Sequence, residues 1–224
     1  MIIDARHCGP PGSGNGGWVA GALVAHVGGS GSVRLSAPPP LDRELAVDVT
    51  GDGSSAELRD GELVVAVAQA GDGPVVDVPA PVTLEQAREA SEGFDHASHP
   101  FPGCYVCGSD RPDGLREWTA PVAGRGDHLV ASPVVLPDAD TATVWAALDC
   151  PGAFSIGMGD GVPLLLGTMS ARVGDRPVPV GEELVVMGWA LGAERRKRRC
   201  ATALLDADGT VLAAAEALWI APRP

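Results

Sequence analysis

Asp60-Gly61-Glu62-Leu63-Val64-Val65-Ala66-Val67-Ala68-Gln69-Ala70 returns later in the chain as Asp208-Gly209-Thr210-Val211-Leu212-Ala213-Ala214-Ala215-Glu216-Ala217-Leu218. In both places an Asp-Gly turn leads into an apolar strand that ends on polar residues. Upstream of each copy lies a matching Pro-rich turn and strand: Pro38-Pro39-Pro40-Leu41-Asp42-Arg43-Glu44-Leu45 in the first, Val178-Pro179-Val180-Gly181-Glu182-Glu183-Leu184 in the second. Leu45 and Leu184 are 139 residues apart and Asp60 and Asp208 are 148 apart, so one connection is longer in the second copy. A repeat of that length is too long for a solenoid and fits two fused domains.

Composition narrows the function classes. With 224 residues, 45% of them apolar, the chain can bury one large core or two modest ones. A net charge of -13 speaks against nucleic acid as a partner, because duplex binding needs a broad basic surface. No apolar run reaches membrane-spanning length, so no membrane partner is expected. Met1 to Cys8 lacks a basic segment followed by an apolar run, and the five cysteines are odd in number; together they point to a cytoplasmic chain with reduced thiols.

Along the first copy, glycine-rich residues 12–17 enter the small-residue apolar run Trp18 to Val27, long enough for a buried helix. Gly21 inside it predicts close packing against a sheet. Strands are expected at 32–36, 44–50 and 62–69. Thr83 caps a short exposed connecting helix, and Pro, Gly and His then dominate residues 93–108, the domain boundary. The second copy reads as strands at 115–120 and 128–135, a helix over 138–148 capped by Asp138 or Asp140, and strands at 164–173, 183–190, 197–206 and 210–220. One buried helix followed by antiparallel strands, twice over, is an α+β pattern. The expected division is 1–80 for the first half, 81–108 for a linker and 109–224 for the second half.

Two sets of residues carry a family resemblance. Asn15-Gly16-Gly17-Trp18 at the first helix and Ala146-Ala147-Leu148-Asp149 at the second resemble the double hotdog fold of acyl-CoA thioesterases. Phe101-Pro102-Gly103-Cys104-Tyr105-Val106-Cys107-Gly108 and Leu148-Asp149-Cys150-Pro151-Gly152 resemble thioesterase-like hotdog proteins of actinobacteria. The resemblance implies a tandem hotdog, each half an antiparallel sheet wrapped around a central helix. Single-domain relatives open that helix with His-Gly-Gly and place an acid nine residues later. Here the first copy keeps the glycines but has Val24 at the acid position. The second copy keeps the acid, Asp149, but has Asp140, Thr141 and Ala142 in place of the opening triplet. Each copy lacks what the other has, so the expectation is one composite site for hydrolysis of an acyl-CoA-type thioester.

In that site Gly16 and Gly17 would admit a thioester carbonyl to free backbone N–H groups, with Asn15 and Trp18 beside it, and Asp149 would be base or nucleophile. The other readings are a loop end for the glycines and a helix cap for Asp149, since Pro151 would break a helix running through from Asp140. The family's water-positioning Thr corresponds to Thr168, which is otherwise a plain strand threonine. Its Gln has no counterpart beyond Glu216 or Leu218. Arg195 to Arg199 is the one basic concentration. Strand alternation puts Arg196 and Arg198 on one face, where they could meet the phosphates of coenzyme A, although a solvated hairpin is the usual reason for such a run. His96, His99, Cys104 and Cys107 have ligand types that zinc accepts, but a metal-free chain is expected, with coenzyme A only as part of the substrate. A second function class stays open: a hotdog protein that binds acyl thioesters, or acts as a scaffold, without turnover. Self-association of the chain is also left open.

Overall fold

The computed structural model describes residues 1–125 and 128–223. The first copy contributes helix α1 (Gly16–Val24) and strands β1 (Gly31–Leu35), β2 (Ala46–Val49), β3 (Ser55–Asp60) and β4 (Leu63–Ala70). Helix α2 (Leu84–Glu92) follows. The second copy contributes β5 (Ala120–Pro121), β6 (Val130–Val135), α3 (Thr141–Ala147), α4 (Cys150–Ser155), β7 (Leu165–Val173), β8 (Glu183–Glu194), β9 (Lys197–Leu205) and β10 (Val211–Ile220). No helix among the described residues is long and apolar enough to cross a membrane.

The strands form one antiparallel sheet in the order β2-β3-β4-β1-β7-β10-β9-β8-β6-β5. The internal repeat is visible in that order: 2-3-4-1 on one side of the seam is answered by 8-9-10-7 on the other. The quoted repeat forms the β3–β4 and β9–β10 hairpins, and both turn glycines, Gly61 (φ 57°) and Gly209 (φ 81°), occupy the left-handed region that an L side chain resists. β1 and β7 close the seam, with Val33 opposite Met169 and both buried. The extra length of the second copy lies mainly in the long β8–β9 hairpin, whose tip carries Arg195 and Arg196.

Helix α1 packs on β1, β4 and β7 and helix α4 on β8 and β9, while α3 packs on α1, the two crossing at glycine. A Cβ at Gly21 would lie 2.5 Å from Thr141 O and 2.7 Å from Ala142 Cα, and one at Gly17 would lie 2.7 Å from Trp145 O. Gly21 therefore serves close packing as expected, but against a helix and not a sheet. Trp145, fully buried, fills the space beside the crossing and donates its Nε1–H to Gly29 O at 3.1 Å.

Three local expectations differ from the structure. The run 115–120 is irregular, and only Ala120–Pro121 pairs as a strand. β3 was not foreseen, because Ser55-Ala56-Glu57-Leu58-Arg59-Asp60 offers only Ala56 and Leu58 to the core. Helix α2 has the expected Thr83 cap, completed to a reciprocal pair with Gln86. It is not simply exposed, however: Ala87 and Ala90 lie in an apolar cluster with Leu129, Val185, Met187 and Trp189 on the outer face of the second half's sheet. The linker thus packs onto the second half.

Candidate active site

The start of α1 and the α3–α4 junction meet at one point. Asn15 is the N-cap of α1: its Oδ1 accepts the Trp18 N–H at 2.8 Å, which leaves its amide Nδ2 free to donate elsewhere. That donor goes to Asp149 Oδ2 at 3.0 Å, and the Gly17 N–H donates to the same oxygen at 2.9 Å. Asp149 stands at the cap position of α4, as the Pro151 argument anticipates, yet it makes no side-chain cap. Its carboxylate turns instead to the positive end of the other half's helix. Room for this exists only because residue 17 is glycine: a Cβ there would come within 2.4 Å of Asp149 Cβ.

Asp149 is 1% exposed and its Oδ1 has no partner among the described residues. Burial pushes its carboxyl up to about 7, the Cys104 sulfur adds to the rise, and the Gly17 and Asn15 donors oppose it. The nearby Glu117 is fully buried with both oxygens unpartnered, and burial holds it well above the usual carboxylate range.

A pocket of about 320 Å³ opens onto this group. Asn15, Gly16 and Asp149 line its inner end, Leu35, Leu164, Leu166 and Trp219 its apolar wall, and Pro10, Pro38 and Pro39 its rim. The Gly16 N–H, first of the helix, has no acceptor among the described residues and lines the same space. A Cβ at Gly16 would meet Leu166 Cδ2 at 2.9 Å, so the glycine keeps this wall clear.

No protein-family model matches the chain, and no curated protein matches it. Solved structures do match. A candidate thioesterase from Novosphingobium aromaticivorans aligns with a TM-score of 0.68 at 14% identity, covering 100% of this chain and 94% of that one. A protein with hot dog fold from Alicyclobacillus acidocaldarius aligns at 0.60 and 15% identity, covering 99% and 92%. The dehydratase domain of PpsC from Mycobacterium tuberculosis, solved in complex with C12:1-CoA, aligns at 0.53 and 14% identity, covering 91% and 81%. The fold is a double hotdog.

Within this double hotdog the residues singled out from sequence divide into two groups. Asn15, Gly16, Gly17 and Asp149 come together as described. Thr168 does not join them. Gly167 is an extra residue in β7, opposite the step from Leu218 to Trp219, so Leu166 and Met169 both face the helices and Thr168 faces the outer side between Arg34 and Leu218. Glu216 is on that outer side too, paired with Arg199 at 3.1 Å. The Trp18 indole stacks on the His7 ring at 3.9 Å and does not line the pocket. Arg196 donates to Ala221 O at the hairpin tip. Arg198, paired across the sheet with the pocket residue Trp219, donates to Ile156 O.

Among the described residues the opposite helix start carries no such constellation. Asp140 caps α3 through the Thr143 N–H at 2.7 Å, and the Gly28-Gly29 turn lies beside Thr141, with the Gly29 N–H donating to Val24 O. Val24 is fully buried.

What sequence reasoning missed is the company Asp149 keeps. The Cys-x-x-Cys loop folds back onto the N-terminal segment, its Tyr105 N–H donating to Cys8 O at 2.7 Å. This brings Cys104 and Cys107 into the pocket lining beside Cys150. Hydrogen bonds from Cys107 and Cys150 pull the Cys104 thiol well below its ordinary range, while Cys107, mainly by burial, and Cys150, mainly by its bonding to Cys104, are pushed well above it. The adjacency of Asp149 and Cys150 in sequence was the available signal.

Proposed function

We propose that the chain hydrolyses an acyl-CoA-type thioester at the start of α1. The observation that carries this reading is Asp149: a buried carboxylate from one half, held through one oxygen by the helix start of the other, with its second oxygen unpaired among the described residues, in the lining of an apolar pocket. The thioester carbonyl would lie against the Gly16 N–H, where the free donor and the helix dipole favour developing negative charge. Asp149 Oδ1 would take a proton from water as the water oxygen attacks the carbonyl carbon. Collapse of the adduct breaks the C–S bond, and the departing thiolate recovers the proton. The acyl chain would rest on Leu35, Leu164, Leu166 and Trp219.

Supporting the choice of carrier, the PpsC domain is described with C12:1-CoA, and solved double hotdogs of similar extent include an acyl-CoA thioesterase II from Mycobacterium marinum, at 12% identity and a TM-score of 0.51. Arg196 and Arg198 are the arginines we assign to the phosphates of coenzyme A, since guanidinium groups pair with phosphate in two-point contacts.

One observation favours the second reading, binding without turnover: Thr168, the corresponding water-positioning residue, faces away from Asp149. A screen of acyl-CoA chain lengths that follows free thiol separates the two. Turnover that falls at least about 100-fold in Asp149→Asn, with the fold kept, supports hydrolysis. Saturable acyl-CoA binding with no thiol release in the wild type would establish the scaffold reading instead, and wild-type turnover in Asp149→Asn would remove Asp149 from catalysis.

A further inference from the structure

Three thiols in the pocket wall take no part in the hydrolytic reading. Cys104 and Cys107 belong to one loop, and Cys150 is the first residue of α4; their sulfurs all lie within 4.8 Å of one another. Cys104 Sγ and Cys150 Sγ are 3.9 Å apart. A disulfide needs about 2.0 Å. Ligands on a tetrahedral zinc ion, each about 2.3 Å from the metal, stand about 3.8 Å from one another. The cluster therefore has the spacing of a metal site.

The loop around it is shaped for the same task. The Gly108 N–H closes the turn on Cys104 O at 2.9 Å, and a Cβ at Gly108 would lie 2.4 Å from Pro102 O, so the turn tightens only with glycine there. From the other half, the Asn15 amide stands 3.8 Å from Cys104 Sγ and 4.0 Å from Cys150 Sγ. One amide donor thus faces two of the three sulfurs.

We propose that Cys104, Cys107 and Cys150 bind one zinc ion, whose fourth coordination position is left to water or ligand in the pocket that these sulfurs line. The histidines of the linker are not the fourth ligand. His96 is exposed and packs edge-on against Phe94 and Trp118. His99 Nδ1 accepts the Phe101 N–H at 2.9 Å, so its proton sits on Nε2, which donates to Cys107 Sγ at 3.2 Å. That makes His99 a supporting donor to a ligand sulfur. The ion would tie the linker loop to the α3–α4 junction, next to the residue that carries the site.

The test is metal content and spectroscopy, independent of any hydrolysis. Elemental analysis of protein purified without chelator should find about one zinc per chain. Stripped, reduced protein should rebind one Zn2+ or Co2+, and the Co2+ form should show the near-ultraviolet charge-transfer absorption of thiolate ligands. Cys150→Ser should weaken Co2+ binding by at least tenfold and reduce that absorption. Cys200→Ser, a buried thiol outside the cluster, and His99→Ala should each still bind one ion. Failure of reduced wild-type protein to bind either metal overturns the site, and so does a Co2+ spectrum without thiolate bands, a readout that stands even if Cys150→Ser does not fold. Wild-type affinity in Cys150→Ser, or loss of the ion in His99→Ala, overturns the ligand assignment.

Discussion

Asp149 Oδ2 accepts the Gly17 N–H at 2.9 Å across 132 residues of chain. This bond joins the two copies of the repeat where the first supplies the glycines and the second the acid. It also changes the expected division of labour. Gly17 holds the acid, and the N–H left without an acceptor among the described residues is that of Gly16.

Gly17→Val should abolish thioester turnover and destabilise the fold by about 2 kcal/mol, the scale of overpacking a core contact, because its Cβ would displace Asp149. Val24→Ala, at the corresponding acid position of the first copy, should cost about 2 kcal/mol in packing and leave turnover per folded molecule nearly unchanged. Denaturant titrations paired with thiol release check both. An acyl-CoA analogue bound beside Thr141 would contradict the asymmetry.

Asn15 does two jobs that separate by substitution. Asn15→Asp retains an oxygen for the Trp18 N–H but loses the amide donor to Asp149 and sets a second carboxylate beside it. Turnover should fall at least tenfold in Asn15→Asp. Asn15→Ala should lower stability by about 1 kcal/mol from the lost cap and also lose turnover. Equal activity in Asn15→Asp and wild type would show that the amide donor is idle.

Much of this was legible in sequence, and the failures have physical causes. The Asp-Gly hairpins gave away the repeat because two turns needing a left-handed residue stood in front of two matching strands. Gly21 announced a close approach, but a missing side chain does not say what approaches. Thr168 was misdirected by Gly167: one inserted residue turns every following side chain to the other face, and nothing in Leu165-Leu166-Gly167-Thr168 marks the insertion. In the sequence Cys150 stands out only as the residue that follows Asp149. Its sulfur meets Cys104 through a fold contact 46 residues long, which spacing rules for a single loop do not reach.

His7 should make stability depend on acid. It is buried against Trp18 and Tyr105, accepts from Arg6 Nε at 3.0 Å, and sits among the charges of Arg6, Asp4, Asp140 and Arg111. Burial, with Arg6 adding to it, lowers its pKa from 6.5 to about 4. Between those values His7 binds more protons in the unfolded chain than in the native one. The contribution of His7 to stability therefore rises with pH through this window, against the opposite contribution of Asp149 and Glu117, whose raised carboxyls make the native chain bind more protons over the same range. The difference in urea midpoint between wild type and His7→Phe, which keeps a ring against Trp18 but does not titrate, should move in favour of the wild type as pH rises from 4 to 6.5, and a difference that stays level would remove His7 from the pH dependence.

Arg198 offers a test of the carrier. If it meets a phosphate of coenzyme A, Arg198→Ala should raise KM for an acyl-CoA about tenfold with kcat little changed, the scale of one charge-assisted hydrogen bond. The same acyl group on N-acetylcysteamine, which has no phosphate, should show no difference. An equal effect on both substrates would assign Arg198 to its bond with Ile156 O instead.

The β1–β7 seam has a consequence for how such a protein works in dilute solution. A site assembled from separate subunits empties as the subunits come apart, so its activity per mole declines on dilution. Here Asn15 and Asp149 belong to one chain, and the linker fixes the effective concentration of one half around the other whatever the concentration of the protein. Specific activity at the composite site should therefore be level down to the lowest concentrations that can be assayed. The tether also frees the two copies from having to remain identical, which is the condition under which one could keep the glycines and the other the acid.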